Sequence, residues 1–240
     1  TTTAIAGLNI TATEIFLDGL DIATTNSGVV TLSGITDLTT AAVGINASGT
    51  ITFDGALISS VGGAIALTLE SAGNIDFDST VGYSGGNELG ALIITTAVDV
   101  TADSSIEAAS LVQLAGTGTT TLTGAVDLTA IAGLDITTDI VTISSTVDTA
   151  ASGVVTITNA GQLTIASGAD ITADGAFLQD GAGEVSTAGN IVTTGDAITF
   201  TTAVTLTDAE SVVMTSAGGA ILFSSTLDGT TDFLEDLTLT

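Results

Sequence analysis

The sequence predicts an all-β fold, and specifically a parallel β-helix, or β-solenoid, of roughly 10–12 coils with about 20–25 residues per coil. Three observations predict it. Apolar and polar residues alternate over short segments, turn signals recur about every 8–12 residues, and short motifs repeat along the chain. No stretch of about a dozen residues shows a helical period.

Short alternating segments occur throughout the 240 residues. Leu8-Asn9-Ile10-Thr11, Val98-Asp99-Val100-Thr101 and Val204-Thr205-Leu206-Thr207 are examples, and each places its apolar side chains on one side of a strand. The β-branched residues Thr, Val and Ile favour this conformation. Asp-Gly and Gly-Asn dipeptides, as at Asp54-Gly55 and Gly73-Asn74, separate the segments and accept tight turns.

Internal repetition is the strongest signal in the chain. Ser27-Gly28-Val29-Val30-Thr31 recurs as Ser152-Gly153-Val154-Val155-Thr156, and Ala72-Gly73-Asn74-Ile75 recurs as Ala188-Gly189-Asn190-Ile191. We therefore predict one solenoid domain over residues 1–240, with an internal duplication of roughly residues 1–125 and 126–240. The alternative is a string of tandem β-sandwiches, each of which needs about 100 residues.

Composition excludes several classes of function. The chain has 27 Asp plus Glu, no Lys, Arg, His, Cys, Pro or Trp, and a formal charge of −27. Ser-His-Asp catalysis, thiolate chemistry and Schiff bases are therefore absent. Binding to nucleic acid or to an anionic membrane surface needs cations that the chain lacks. Two carboxylates suffice for a glycosidase, but nothing marks such a pair, so we predict a protein that is not an enzyme.

Three segments resemble a known family, the beta strand repeats of giant bacterial surface proteins, which are similar to filamentous-haemagglutinin-type adhesins. The segments are Gly73-Asn74-Ile75-Asp76-Phe77-Asp78-Ser79-Thr80-Val81, Glu88-Leu89-Gly90-Ala91-Leu92-Ile93-Ile94-Thr95 and Phe223-Ser224-Ser225-Thr226-Leu227-Asp228-Gly229. The resemblance implies export to the bacterial cell surface, a parallel β-helix, and a fibre, stalk or adhesin role. It carries no catalytic residue to this chain, and it leaves any host or cell-surface partner unidentified.

Carboxylates are the only strong functional groups, and they are candidate calcium ligands because calcium prefers several oxygen donors. Asp76 and Asp78 flank Phe77, and Asp232, Glu235 and Asp236 cluster near the other end of the sequence. The alternative is a solvated acidic surface. No base offsets these charges, so stacked coils need screening by salt, by calcium or by low pH.

Threonine and asparagine suggest two further roles. Thr119-Thr120-Thr121-Leu122-Thr123 predicts an outward threonine array of the kind that ice-binding solenoids present, and ice binding is an alternative function. We expect Asn9, Asn26, Asn74, Asn159 and Asn190 to stack in ladders, and the seven Phe residues to lie in the core.

The function predicted from these observations is structural. We expect an extracellular section or subunit of a cell-surface fibre, stalk or sheath, built by stacking of solenoid coils. Thr1-Thr2-Thr3 and Leu237-Thr238-Leu239-Thr240 show no capping pattern. We therefore expect either one section of a longer solenoid or end-to-end self-association of subunits into a filament. The alternative is the shaft of an adhesin whose binding tip lies outside this segment.

Overall fold

A computed structural model describes residues 6–61, 65–83, 85–207, 211–230 and 235–240. In these residues the chain forms 28 β-strands and no helix. The strands are β1 (Leu8–Leu17), β2 (Asp21–Ala23), β3 (Val30–Leu38), β4 (Val43–Ala47), β5 (Ile51–Phe53), β6 (Leu57–Ser59), β7 (Leu67–Ser71), β8 (Ile75–Phe77), β9 (Leu89–Thr96), β10 (Val100–Ala102), β11 (Ile106–Gln113), β12 (Thr119–Leu122), β13 (Val126–Leu128), β14 (Leu134–Thr138), β15 (Ile140–Ile143), β16 (Val147–Thr149), β17 (Val155–Asn159), β18 (Leu163–Ile165), β19 (Ile171–Ala173), β20 (Phe177–Gly181), β21 (Val185–Thr187), β22 (Ile191–Thr193), β23 (Ile198–Phe200), β24 (Val204–Leu206), β25 (Ser211–Thr215), β26 (Ile221–Phe223), β27 (Leu227–Gly229) and β28 (Asp236–Leu239).

The strands stack into three faces. Face A has the order β1-β3-β5-β8-β10-β12-β15-β18-β21-β24-β27. Face B consists of the second halves of β1 and β3, then β6, Val81, the start of β11, and β13-β16-β19-β22-β25-β28. Face C consists of β2, β4, β7, β9, the end of β11, and β14-β17-β20-β23-β26.

Every strand pair is parallel, so the predicted β-solenoid is confirmed, with about 10 coils. The shortest step between in-register residues on face A, Val185 to Val204, is 19 residues. The longest, Ile75 to Val100, is 25. The alternative of tandem β-sandwiches is wrong, because sandwich sheets are antiparallel.

The core is one continuous column of apolar side chains that point inward from all three faces. Aromatic rings stack within it: Phe53 lies on Phe77 with ring centroids 5.4 Å apart, and Phe200 lies on Phe223 at 5.3 Å. Fully burying each such side chain stabilises the fold by about 1.5–3 kcal/mol. The prediction of Phe in the core is wrong for Phe16, whose side chain is exposed on the first coil, and Phe233 lies outside the described residues.

Corners between faces reuse one local turn. In residues 24–28 the Thr24 hydroxyl donates to the Gly28 carbonyl, and in residues 149–153 the Thr149 hydroxyl donates to the Gly153 carbonyl at 2.6 Å. The two central residues of each turn have positive φ, at Asn26 and Ser27 and at Ala151 and Ser152. The sequence repeat at Ser27 and Ser152 therefore encodes a corner.

These two copies of the turn lie at different corners. The first leads into Val30 on face A, whereas the second leads into Val155 on face C. Leu8 and Leu134, which end two copies of the sequence Thr-Ala-Ile-Ala-Gly-Leu, also lie on different faces. The duplication of residues 1–125 and 126–240 stays a prediction. In the structure, each copy of a recurring motif forms one side or corner of a coil, and the two copies of a motif do not form the same one.

Candidate functional site

Face A presents three outward positions on each coil: one in the middle of its strand and one at each flank. The outward positions line up between coils because the strands stay in register, for example Thr52 with Asp76 and Asp76 with Thr101. Two segments of this face have outward residues of different chemistry, and each is a candidate surface for function.

The first segment, here named the acidic patch, covers three coils. Its nine outward residues are Thr50, Thr52, Asp54, Asn74, Asp76, Asp78, Asp99, Thr101 and Asp103. Five of them are carboxylates on successive coils, which lie about 4.8 Å apart. The chain has no base to pair with them.

Hydrogen bonds join the acidic patch across coils. The Ser33 hydroxyl donates to the Asp54 carboxylate, which lies beside Asp78 of the next coil. At the other edge the Thr119 backbone N–H donates to Asp99 Oδ1 at 2.8 Å.

Crowding changes the acidity of the acidic patch. Burial raises the pKa of Asp76 above its usual value, and the charges of Asp78, Asp103 and Asp99 raise it further. Burial also raises the pKa of Asp78, together with the charges of Asp54 and Asp103. Ionisation of these groups therefore opposes folding at neutral pH.

A similar like-charge ladder runs along face B. Glu107, Asp127 and Asp148 stand in register on three successive coils. Burial raises the pKa of Glu107, followed by the charges of Asp127 and Glu88. The ladder shows that coil stacking brings carboxylates together on two faces of the solenoid.

The predicted calcium ligands lie at two distant places. Asp76 and Asp78 belong to the acidic patch, Glu235 and Asp236 lie on the last coil, and Asp232 lies outside the described residues. Within the described ranges no three or more metal-binding side chains are grouped to hold an ion. The Thr230 hydroxyl donates to Glu235 Oε1 at 2.7 Å. Calcium binding stays a prediction.

The second segment of face A, here named the neutral array, covers the next five coils. Its fifteen positions continue the outward register of the acidic patch, and they are Thr119, Thr121, Thr123, Ile140, Thr142, Ser144, Gln162, Thr164, Ala166, Glu184, Ser186, Ala188, Ala203, Thr205 and Thr207. Ala188 is buried, and the other fourteen side chains are half-buried or exposed. Glu184 is the one charged residue among the fifteen. Hydroxyl and methyl groups therefore dominate this surface.

The middle column of the neutral array is a hydroxyl ladder. Thr121, Thr142, Thr164, Ser186 and Thr205 follow one another in register. All five side chains are half-buried, because each packs beside the same position on the coils above and below. The predicted threonine array is thus present, although Thr120 itself points inward and is buried.

Buried polar side chains line the corner between faces C and A. Gln113 and Gln179 occupy one inward column, separated by Ile136 and Ile157. Gln179 Nε2 donates to Asn159 Oδ1 at 2.8 Å, and the Thr120 hydroxyl donates to Gln113 Oε1 at 2.7 Å. Sequence reasoning missed these glutamines, because their column appears only once the coil lengths are known.

Above this corner lies an open groove of about 470 Å³. It is lined by small and polar residues from four coils, including Gly116, Thr137, Asp139, Thr158 and Ala182. The corner is tight: a Cβ on Gly183 would lie 1.5 Å from the Gly161 carbonyl oxygen. Only Asp139 among the groove's lining residues is ionisable, so the groove offers little for catalysis.

The asparagine ladder is wrong as predicted, because the five asparagines occupy different columns. Asn74 and Asn190 lie at different corners, and each accepts a backbone N–H from the next coil, from Asp99 and Val213 respectively. They therefore connect neighbouring coils without stacking on one another.

Comparison with known proteins identifies no relative: neither a protein-family model, nor a curated protein, nor a solved structure matches the chain. In the part of the chain that the structure describes, no helix has the length and apolar character needed to cross a membrane.

Proposed function

We propose that the chain is a non-enzymatic section of an exported bacterial cell-surface fibre, stalk or sheath. The observation that carries the proposal is the continuous core, which runs through every coil of a single solenoid. Ten coil steps of about 4.8 Å make a rod roughly 50 Å long. Such a rod resists bending because each coil is hydrogen-bonded to its neighbours along three faces.

Surface chemistry supports a structural role more than a catalytic one. The outward groups are hydroxyls, methyls and carboxylates, and the chain contains no His, Cys, Lys or Arg. The absence of Lys and Arg also removes every trypsin-like cleavage site, which suits a protein exposed outside the cell. The resemblance to beta strand repeats of giant surface proteins points to the same role.

The last described coil offers an edge for stacking, either by a further coil of a longer chain or by a second copy. Among the described residues, strands β26, β27 and β28 each end a sheet and pair on one side only. Leu227 and Leu239 are inward residues of this coil that are 37% and 49% exposed. An unpaired edge with exposed apolar side chains is a surface on which another coil can stack.

Electron cryo-microscopy of the purified protein tests the proposal. We expect filaments with an axial repeat of about 4.8 Å. Leu227→Glu should abolish them, since it places a charge on the stacking surface. Leu222→Glu is the matched control, because Leu222 is on the same coil but points outward from face C. Soluble monomers under all salt conditions would favour the adhesin shaft, and filaments unaffected by Leu227→Glu would contradict stacking at this edge.

A further inference from the structure

We infer that the neutral array on face A binds an ordered water lattice, so that this solenoid adsorbs to ice. The inference rests on the lateral surface and is independent of whether the rod stacks end to end. The proposed contact surface is formed by the fourteen half-buried or exposed residues of the neutral array, on five coils between Thr119 and Thr207.

The neutral array is geometrically regular. Parallel strands in register repeat the same outward position once per coil, about 4.8 Å apart, and the repeat of the hexagonal ice lattice is of similar length. Thr121, Thr142, Thr164 and Thr205 occupy this position, with Ser186 in place of a fifth threonine. Threonine is β-branched, so its χ1 angle is restricted and its hydroxyl is held in a preferred direction.

The neutral array also matches the hydrogen-bonding groups of water. Each hydroxyl offers one donor and two acceptor sites, the same functions that a water molecule uses in a lattice. The neighbouring methyl groups and the side chain of Ile140, which is 37% exposed, present apolar surface between the hydroxyls. Charged groups would impose their own hydration, and in a chain of charge −27 this array carries only Glu184.

Other occupants fit the array less well. Three outward positions across five coils give a flat area of roughly 250 Å², whereas a stable protein partner covers about 800 Å². Nucleic acid needs cations, which the chain lacks. Crystalline polysaccharides are generally bound through aromatic rings, and none of the fifteen residues is aromatic.

Nanolitre osmometry of the folded protein tests the inference. It measures thermal hysteresis, the gap between the melting and freezing temperatures of an ice crystal in the protein solution, and it shows the shape of that crystal. Thr142→Tyr should remove most of the hysteresis, because a bulky ring in the middle of the array prevents flat contact. Thr52→Tyr is the matched control: it changes the same column of face A, but in the acidic patch, and should leave hysteresis unchanged. A second control, Thr172→Tyr, changes an exposed outward threonine of face B.

Circular dichroism melting confirms that each variant is folded, and tyrosine is well tolerated in strands. Wild-type protein that is folded but produces neither hysteresis nor faceted crystals would overturn the inference. Hysteresis that survives Thr142→Tyr, or that is lost equally in Thr52→Tyr, would overturn the assignment to the neutral array. Neither outcome bears on filament formation, which is scored separately by microscopy.

Discussion

The acidic patch and the neutral array share one face, one register and one inward column, yet they differ in almost every outward residue. Five of nine outward residues are carboxylates in the first, and one of fifteen in the second. The backbone and core therefore specify the solenoid without help from the outward positions. Those positions are free to vary, and their chemistry decides how each segment responds to pH, salt and ligands.

The largest expected effect tests whether the two segments depend equally on the core. Phe77 and Ile165 stand in the same inward column, under the acidic patch and the neutral array respectively. Phe77→Ala should lower the free energy of unfolding by about 3–5 kcal/mol and Ile165→Ala by about 2–5 kcal/mol. Phe77 should cost more, since its stacking on Phe53 is also lost.

Urea denaturation followed by circular dichroism measures both variants, and hydrogen exchange shows which coils open. A smaller loss for Phe77→Ala than for Ile165→Ala would mean that repulsion in the acidic patch already weakens the coils around Phe77.

The second expected effect is a rise in stability as the pH falls from neutral toward the ordinary pKa of a carboxyl group, about 4. The pKa values of Asp76, Asp78 and Glu107 are raised in the folded chain, so folding makes these groups bind protons more tightly. Their ionisation destabilises the fold at neutral pH, and this penalty disappears as pH falls through the folded pKa values. Asp174 works in the opposite direction: hydrogen bonds from Ser152 and Thr194 lower its pKa, so its contribution is lost only in stronger acid.

The double variant Asp76→Asn/Asp78→Asn checks the origin of this pH dependence. At pH 7 it should raise the free energy of unfolding by about 1 kcal/mol, since each like-charge cross-strand contact costs roughly 0.2–1 kcal/mol. Asp135→Asn is the control, because its in-register neighbours are Val112 and Thr156. The melting temperature should depend less on pH in the double variant than in the wild type or in Asp135→Asn. If the double variant keeps the wild-type pH dependence, other groups cause it.

Much of this fold follows from the sequence, for a physical reason. Alternation at segments such as Leu134-Asp135-Ile136-Thr137 reports which side chains are buried, and a face of a parallel solenoid needs little more. The face on which a given strand lies is harder to predict, because the number of residues per coil varies from 19 to 25 on face A. Contacts between residues of neighbouring coils, such as Asp54 with Asp78 or Asn159 with Gln179, depend on those lengths. That is why the neighbourhood of Asp76 and Asp78 was predictable as acidic but not as a five-carboxylate patch.

The third expected effect comes from placing the same charge in both segments. Thr52→Asp puts a carboxylate in register with Asp76, whereas Thr142→Asp lies between Thr121 and Thr164. We expect Thr52→Asp to destabilise the protein at pH 7 by roughly 0.2–1 kcal/mol, and Thr142→Asp by no more than about 0.5 kcal/mol. Thermal melts in low salt measure both variants. If the two substitutions lower the stability equally, the surroundings of Thr52 and Thr142 do not differ electrostatically.

The smallest expected effect separates screening from binding of calcium. Salt shortens the Debye length to about 10 Å at 0.1 M, so NaCl should raise the melting temperature by weakening repulsion within the acidic patch. We expect CaCl₂ of the same ionic strength to raise it by a similar amount, because no three ligands are grouped among the described residues. Calcium is bound if CaCl₂ raises the melting temperature more than NaCl does, and if this difference is lost in Asp76→Asn/Asp78→Asn but kept in Asp135→Asn. The two carboxylates beside Phe77 would then be ligands, and the acidic patch would need the ion to stay folded at neutral pH.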